Sequence, residues 1–384
     1  MDLPRFPVLG DLSASEFLDQ YWQKQPLLIR QALPDWTLPV SPDELAGLAC
    51  EEFVESRIVL RQLDDRKWVL RQGPFSDRDF ACLPPDNWTL LVQAVDHWVP
   101  EVRELLNEFR FVPDWRLDDI MISYATEGGG VGPHFDHYDV FLIQVSGTRH
   151  WQSGQLCNDT SPLLSHPDLK ILAEFVTERN FHTVPGDMLY LPPGVAHWGT
   201  ATSGDCVTVS VGFRAPSHGE LVSDYGFWLN EHLSDFLRYT DPDLKVPSHP
   251  AEISAETVAR VQAVLHQYAN NPELVAHWFG RLMTEPKYPE NILSNSPGRP
   301  TADLWVADNA RLAWYRSEHD DTVYFFANGQ DYKLPLSFKP VIMDVCENRY
   351  ALTDPVTNWS DSERQVWTDL LTDLVKEGVM GGIE

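Results

Sequence analysis

The chain has 384 residues, 43% of them hydrophobic, and a formal net charge of −28. That length is enough for two or three domains with ordinary cores. No apolar run approaches the roughly 18 residues of a membrane span, and so large an acidic excess argues against a nucleic-acid backbone as partner and favours basic proteins.

Five cysteines (Cys50, Cys82, Cys157, Cys206 and Cys346) are odd in number, widely spaced and outside any Cys-x-x-Cys pattern. They point to reduced thiols in a cytoplasmic protein rather than to disulfides or zinc. The opening residues Met1 to Pro7 lack the basic and apolar regions of a signal peptide.

In chain order, residues 13–22 predict a capped amphipathic helix with Phe17, Leu18, Tyr21 and Trp22 on its apolar side. Residues 26–30 follow as a first strand. Residues 57–63 and 67–71 predict a hairpin about Asp64-Asp65-Arg66. Residues 87–109 carry a helical period through Leu90, Val95, Val99, Val102 and Leu106. A run of strands is then expected between Asp119 and Phe213.

The most informative residues lie inside that run. His134-Phe135-Asp136 is followed, 61 residues after Asp136, by His197. Two imidazoles and one carboxylate resemble a facial metal triad, which leaves coordination positions open for a co-substrate and dioxygen on iron(II). In a strand, residues two apart share a face, so one short segment delivers two ligands. The second histidine sits in a frame of turns: Pro185-Gly186-Asp187, a short apolar strand Met188-Leu189-Tyr190-Leu191, then Pro192-Pro193-Gly194. This places His197 at the rim of a small β-barrel. His137-Tyr138-Asp139 repeats the His-x-Asp pattern at an odd offset, facing the other way in a continuous strand. His134 and Asp136 are preferred because the loop Gly128 to Pro133 ends directly before them, and glycines allow close backbone approach.

Beyond Pro216 the period changes from two to 3.6, predicting helices over residues 220–239, 254–270 and 271–284, the last capped by Asn271 with Pro272 at its first position. Their apolar faces are wide and aromatic, which suits an ordinary core or burial against a second subunit. Residues 294–300 mark a boundary. Strands at 312–315, 323–326 and 332–334, with an Asn328-Gly329 turn, and helices at 339–347 and 360–377 then form a winged-helix-like unit. From Arg299 onward there are 8 Lys and Arg against 15 Asp and Glu, the wrong balance for reading DNA.

The triad, its Pro-Gly frame and the segments 17–29, 119–151 and 184–216 resemble the JmjC branch of the cupin, or double-stranded β-helix, superfamily of 2-oxoglutarate-dependent oxygenases. More narrowly, they resemble the bacterial ribosomal oxygenases that hydroxylate an arginine of a large-subunit ribosomal protein. The resemblance implies a mixed α and β fold: a JmjC/cupin catalytic domain over 1–215, a helical dimerisation domain over 216–298 and a winged-helix-like domain over 299–384. It implies Fe(II) on His134, Asp136 and His197, with 2-oxoglutarate and O2 as co-substrates. It further implies hydroxylation at Cβ of the substrate arginine and a homodimer, while the charge balance and the lack of a long apolar run predict no direct nucleic-acid contact and no membrane.

The resemblance also assigns residues around the metal. Arg149, on the strand after the His-x-Asp, offers a bidentate fork to the distal carboxylate of 2-oxoglutarate, with Ser123 as a hydroxyl partner. Arg214 with Ser217 is the rival, an Arg-x-Ser-like arrangement one residue too long. Asp119, Met121, Tyr138 and Ser210 are expected to line the pocket for the substrate guanidinium.

Other readings keep the metal and change the use. An N-demethylase of the JmjC type would run the same chemistry on N-methyl groups. A non-catalytic cupin module would normally carry His-x-His plus a glutamate, where this chain has Asp136. Ligand type alone leaves manganese and zinc open beside iron.

Overall fold

The computed structural model describes residues 6–62, 67–166, 168–292, 303–355 and 359–382. The chain divides into two compact units, the first ending at Ala215 and the second starting at Pro216.

The first unit contains helices α1 (Ala14–Gln20), α2 (Pro42–Leu48), α3 (Asp77–Ala81) and α4 (Pro100–Arg103). Its strands are β1 (Leu27–Ile29), β2 (Ser56–Gln62), β3 (Lys67–Gln72), β4 (Trp88–Val92), β5 (Leu117–Ala125), β6 (Val140–Ser146), β7 (Arg149–Leu156), β8 (Thr177–Thr183), β9 (Met188–Leu191), β10 (Val195–Ala201) and β11 (Cys206–Phe213). Eight of them form one sheet in the order β1-β9-β6-β11-β5-β4-β2-β3, and three form a second, β10-β7-β8. All pairings are antiparallel.

Alternation along each strand sends side chains to opposite faces of the large sheet. Phe141 and Ile143 of β6, and Val207, Val209 and Val211 of β11, join Phe17 of α1, Phe109 and Tyr190 in the main core. Ser13 starts α1 with a capping box closed by Glu16. The other face looks toward the small sheet, where Val140, Leu142, Leu189 and Leu191 pack on Trp151 of β7. Between the two sheets lies the barrel interior of a double-stranded β-helix.

Residues 87–109 do not form the predicted helix. They give β4, two 3-10 turns (Val95–His97 and Glu104–Phe109) and the single turn α4. The period was misleading because β4 is central in its sheet, paired to both β2 and β5, and the run Thr89 to Val92 is buried throughout. A strand buried on both faces is apolar without alternation, and such a run does not distinguish strand from helix. Ala94, held in the left-handed region, and Pro100 then break the segment.

The β2–β3 hairpin forms as expected, although its turn lies outside the described residues.

The second unit has helices α5 (His218–His232), α6 (Ala255–Ala269), α7 (Pro272–Thr284), α8 (Lys339–Asn348) and α9 (Asp361–Lys376). Asn271 caps α7 through Leu274 N–H. Helix α5 stops at His232, seven residues before the sequence period ends. Strands β13 (Leu312–Arg316), β14 (Thr322–Ala327) and β15 (Gln330–Pro335) form a meander whose Asn328-Gly329 turn has positive φ at both residues, as that two-residue turn requires. A second small sheet orders β16 (Tyr350–Ala351), β12 (Leu304–Val306) and β17 (Met380–Gly381). Helix α7 packs on the meander, with Arg281 bound to Asp331 and the backbone of Gly280 close against the Phe326 ring. The predicted break at 294–300 lies outside the described residues.

Candidate active site

The two histidines meet through backbone pairing. Residues 131–139 are irregular, and His134 forms one isolated antiparallel bridge to His197 of β10. His134 N–H donates to the His197 carbonyl at 3.0 Å and His197 N–H returns to the His134 carbonyl at 2.8 Å. The expected strand over His134 and Asp136 is therefore absent. Cross-strand opposition aligns the imidazoles, and the turn at Gly194 pins Asp136 by donating its N–H to the Asp136 carbonyl at 2.8 Å. Glycines make the loop fit: a Cβ on Gly130 would strike the Gly199 carbonyl, and Gly132, at φ 83°, lies under the Trp68 ring.

The side chains converge as the triad requires. One donor atom from each of His134, Asp136 and His197 lies within 4.8 Å of the others, and among the described residues this is the one such cluster. His134 Nδ1 lies 2.9 Å from the Gly132 carbonyl and His197 Nδ1 lies 3.0 Å from the Val195 carbonyl. Each Nδ1–H thus donates to a backbone acceptor, leaving the Nε2 lone pair for a metal. His197 Nε2 is 3.6 Å from Asp136 Oδ2. Burial, and then the neighbouring His134, push His197 down to about 4, so the ring is neutral at ordinary pH and ready to ligate. The residues present fit an iron(II) ion.

The overlapping His137 and Asp139 do not join this cluster. His137 is exposed. Asp139 is buried on the far side and accepts from Tyr190 Oη at 2.6 Å, Gln23 Nε2 at 3.0 Å and Arg116 Nη2 at 3.3 Å.

Arg149 opens β7 inside the barrel and is 4% exposed. Its guanidinium carbon lies 5.4 Å from the Trp151 ring centroid, while Nε and Nη2 are buried with no protein partner. A buried guanidinium with two nitrogens that the protein does not satisfy is costly alone and well suited to an organic dianion. The residues present fit 2-oxoglutarate. Register places Arg149 beside Thr183 and Ala201, Thr208 beside Ser123, and Gln144 beside Thr208, so these side chains form one layer across the barrel. Gln144 Oε1 accepts from Thr183 Oγ1 at 3.1 Å and from Thr208 Oγ1 at 3.4 Å, while Ser123 Oγ donates to the Thr208 carbonyl at 3.3 Å. Arg214 lies beyond the end of β11, with its N–H bound to the Arg116 carbonyl at 2.6 Å, and Ser217 is spent capping α5.

The residues expected to line a substrate pocket separate by depth. Asp119 is 2% exposed and Ser210 is buried beside Met121 in register. Tyr138 is 43% exposed, yet the charge of Asp136, with burial second and Asp119 among the lesser causes, raises its phenol above the ordinary range.

Sequence reasoning missed Arg57, whose Nη2 is 4.0 Å from Met121 Sδ, and Gln93, which binds Asp119. It also missed the layer of Gln144, Thr183 and Thr208. A signal existed for Gln144, a polar residue at an inward position of the apolar run Val140 to Val145.

A facial His-Asp-His triad at the mouth of a double-stranded β-helix, with a buried arginine deeper in the barrel, defines an iron(II)- and 2-oxoglutarate-dependent dioxygenase. The JmjC domain family matches residues 104–221, and the ROXA-like winged helix family matches residues 263–381, a span that takes in α7 with the meander it packs on. The chain is 36% identical over 374 residues to the ribosomal protein uL16 3-hydroxylase of Escherichia coli, covering 96% of this chain and 97% of that one. It is 39% identical over 233 residues to a probable ribosomal oxygenase of Haemophilus influenzae, covering 60% and 54%. The solved structure of the Escherichia coli ribosomal oxygenase YcfD with cobalt and 2-oxoglutarate superposes with a TM-score of 0.82 at 33% identity, covering 97% of this chain and 98% of that one. The chain belongs to the JmjC-domain ribosomal oxygenases.

Proposed function

We propose that this protein hydroxylates Cβ of an arginine in a large-subunit ribosomal protein. The observation that carries this reading is the buried Asp119, which shares a strand face with Met121, the partner of Ser210 in register, while Tyr138 lies within electrostatic reach of both Asp119 and Asp136. A guanidinium is the cation that such a planar acceptor suits. The similarity to a ribosomal protein uL16 3-hydroxylase supports both the protein class and the position.

Iron(II) held by His134, Asp136 and His197 would, with 2-oxoglutarate and dioxygen as co-substrates, supply the oxidising chemistry that adds one oxygen atom to the substrate and converts 2-oxoglutarate to succinate and carbon dioxide. The protein's own residues position and insulate. Arg149 binds the distal carboxylate, with Ser123 as its hydroxyl neighbour. Trp151, Leu189 and Leu191 keep the barrel dry. Asp119 would hold the guanidinium and so fix where the rest of the arginine side chain lies, with Tyr138, 43% exposed, on the solvent side. No side-chain acid or base is needed.

The wider organisation follows the same reading. Residues 1–215 are catalytic, 216–298 carry helices for dimerisation and 299–384 are winged-helix-like. Val222 and Phe227 of α5 and Leu265 of α6 are largely exposed, which suits burial against a second copy. The acidic surface suits a basic substrate and disfavours direct nucleic-acid contact. No helix among the described residues is long and apolar enough to cross a membrane, and a ribosomal protein substrate favours a cytoplasmic location.

The test is incubation of iron-loaded protein with 2-oxoglutarate and basic ribosomal proteins, followed by peptide mass spectrometry, with His134→Ala as control. The expected result is the mass of one added oxygen on an arginine, absent in the control. Loss of methyl groups instead, or succinate without any modified ribosomal peptide, would overturn the substrate assignment.

A further inference from the structure

The segment following β4 grips the start of β5 at three points. Gln93 Nε2 donates to Asp119 Oδ2 at 2.7 Å, and Ala94 N–H donates to the same oxygen at 3.0 Å. One residue along, Ile120 N–H donates to Asp96 Oδ1 at 2.7 Å. The backbone here is unusual. Ala94 has φ 49° and ψ 43°, a left-handed conformation that a residue with a Cβ adopts at some cost. That conformation aims its N–H at the carboxylate.

A core would be served as well by an apolar contact at this place. Instead, a half-buried amide side chain and a strained peptide both point at one oxygen of a carboxylate the metal triad does not use. The backbone of Gln93 is anchored from the hairpin side, since its main-chain N–H donates to the Glu55 carbonyl at 2.9 Å. The carboxylate is consequently fixed in plane as well as in position. A guanidinium recognises a carboxylate through directional N–H donors in one plane, so a fixed plane favours it over cations or amides lacking that geometry.

We propose that Gln93 is a positioning residue for substrate recognition: by holding Asp119 Oδ2 together with the Ala94 peptide, it sets the orientation in which the pocket accepts an arginine. This rests on the arginine hydroxylation proposed above. Gln93 acts through Asp119 and does not itself touch the reacting atoms.

Gln93→Met keeps the length and removes the donor. With the arginine peptide modified by the wild type, the expected result is a KM for peptide raised about tenfold, with kcat changed less than about twofold and KM for 2-oxoglutarate unmoved. The preference for arginine over citrulline at the target position falls by a similar factor. In an Asp119→Asn background, Gln93→Met adds less than about twofold, because the group it positions is altered. A thermal melt within a few degrees of wild type establishes that the variant is folded.

Four results would overturn the inference. An unchanged peptide KM and unchanged arginine preference in folded Gln93→Met would remove Gln93 from recognition. Parallel rises in KM for peptide and for 2-oxoglutarate would reduce it to a general structural role, as would a variant that fails to fold. If the wild type modifies no arginine peptide, the arginine reading itself falls and takes this inference with it; that outcome is seen before any variant is made.

Discussion

Arg149→Met separates a structural arginine from one kept for a ligand, because the two roles predict opposite signs. Arg149 is buried, and its Nε and Nη2 find no protein acceptor. Replacing buried ionic groups by apolar ones of similar volume is neutral to stabilising by about 1–4 kcal/mol. Against that stands the cation–π contact with Trp151, worth up to about 2 kcal/mol when desolvated. The protein free of 2-oxoglutarate should then be as stable as wild type or gain about 1–2 kcal/mol, a rise of roughly 2–8 °C in melting temperature for a unit of this size. Co-substrate binding should collapse: truncating one side of a buried charge pair costs about 2–5 kcal/mol, or roughly 30-fold to several thousand-fold in affinity. The assay is anaerobic titration calorimetry of 2-oxoglutarate into manganese-loaded protein, beside thermal melts without ligand, with Arg214→Met as comparator. The comparator should bind normally. Arg149→Met binding 2-oxoglutarate within threefold of wild type, or melting several degrees lower, would refute the argument.

Asp96 makes a pH prediction. Burial, then the charge of Asp119, raise its carboxyl to about 7. Between the unfolded value near 4 and about 7 the folded state holds the extra proton, so stability falls as pH rises through that window. Asp96→Asn should therefore melt higher than wild type at pH 8, by an amount worth on the order of a few kcal/mol. The advantage should shrink toward pH 5, and a difference independent of pH across this range would contradict the linkage. Gly199→Ala places a Cβ 2.5 Å from the Trp151 ring, on the strand that carries His197. Overpacking there should cost about 1–3 kcal/mol in denaturant titrations and weaken metal retention on dialysis; an unperturbed variant would mean the two strands have room to part. Charges at Val222 and Leu265 should yield a monomer by sedimentation equilibrium without loss of the β-sheet signal in circular dichroism, whereas a wild-type monomer would discard the proposed dimer.

The sequence by itself determined the three side chains that converge as a triad, most strand positions in the barrel and the helical character that begins at α5. These are local properties: alternation, turn residues and cap residues act over a few positions, and the Pro-Gly frames around Met188–Leu191 carry their dihedral requirements with them. It did not determine β4, because central burial erases the alternation by which a strand is read. It placed His134 and Asp136 on a strand when the true device is a bridge to His197, a contact between residues far apart in the chain. Only the tertiary structure decided between Arg149 and Arg214 as the arginine buried inside the barrel, and only it brought Gln93 onto Asp119. Burial and the lack of a protein partner depend on what surrounds a side chain, and those surroundings come from strands drawn from the whole first unit.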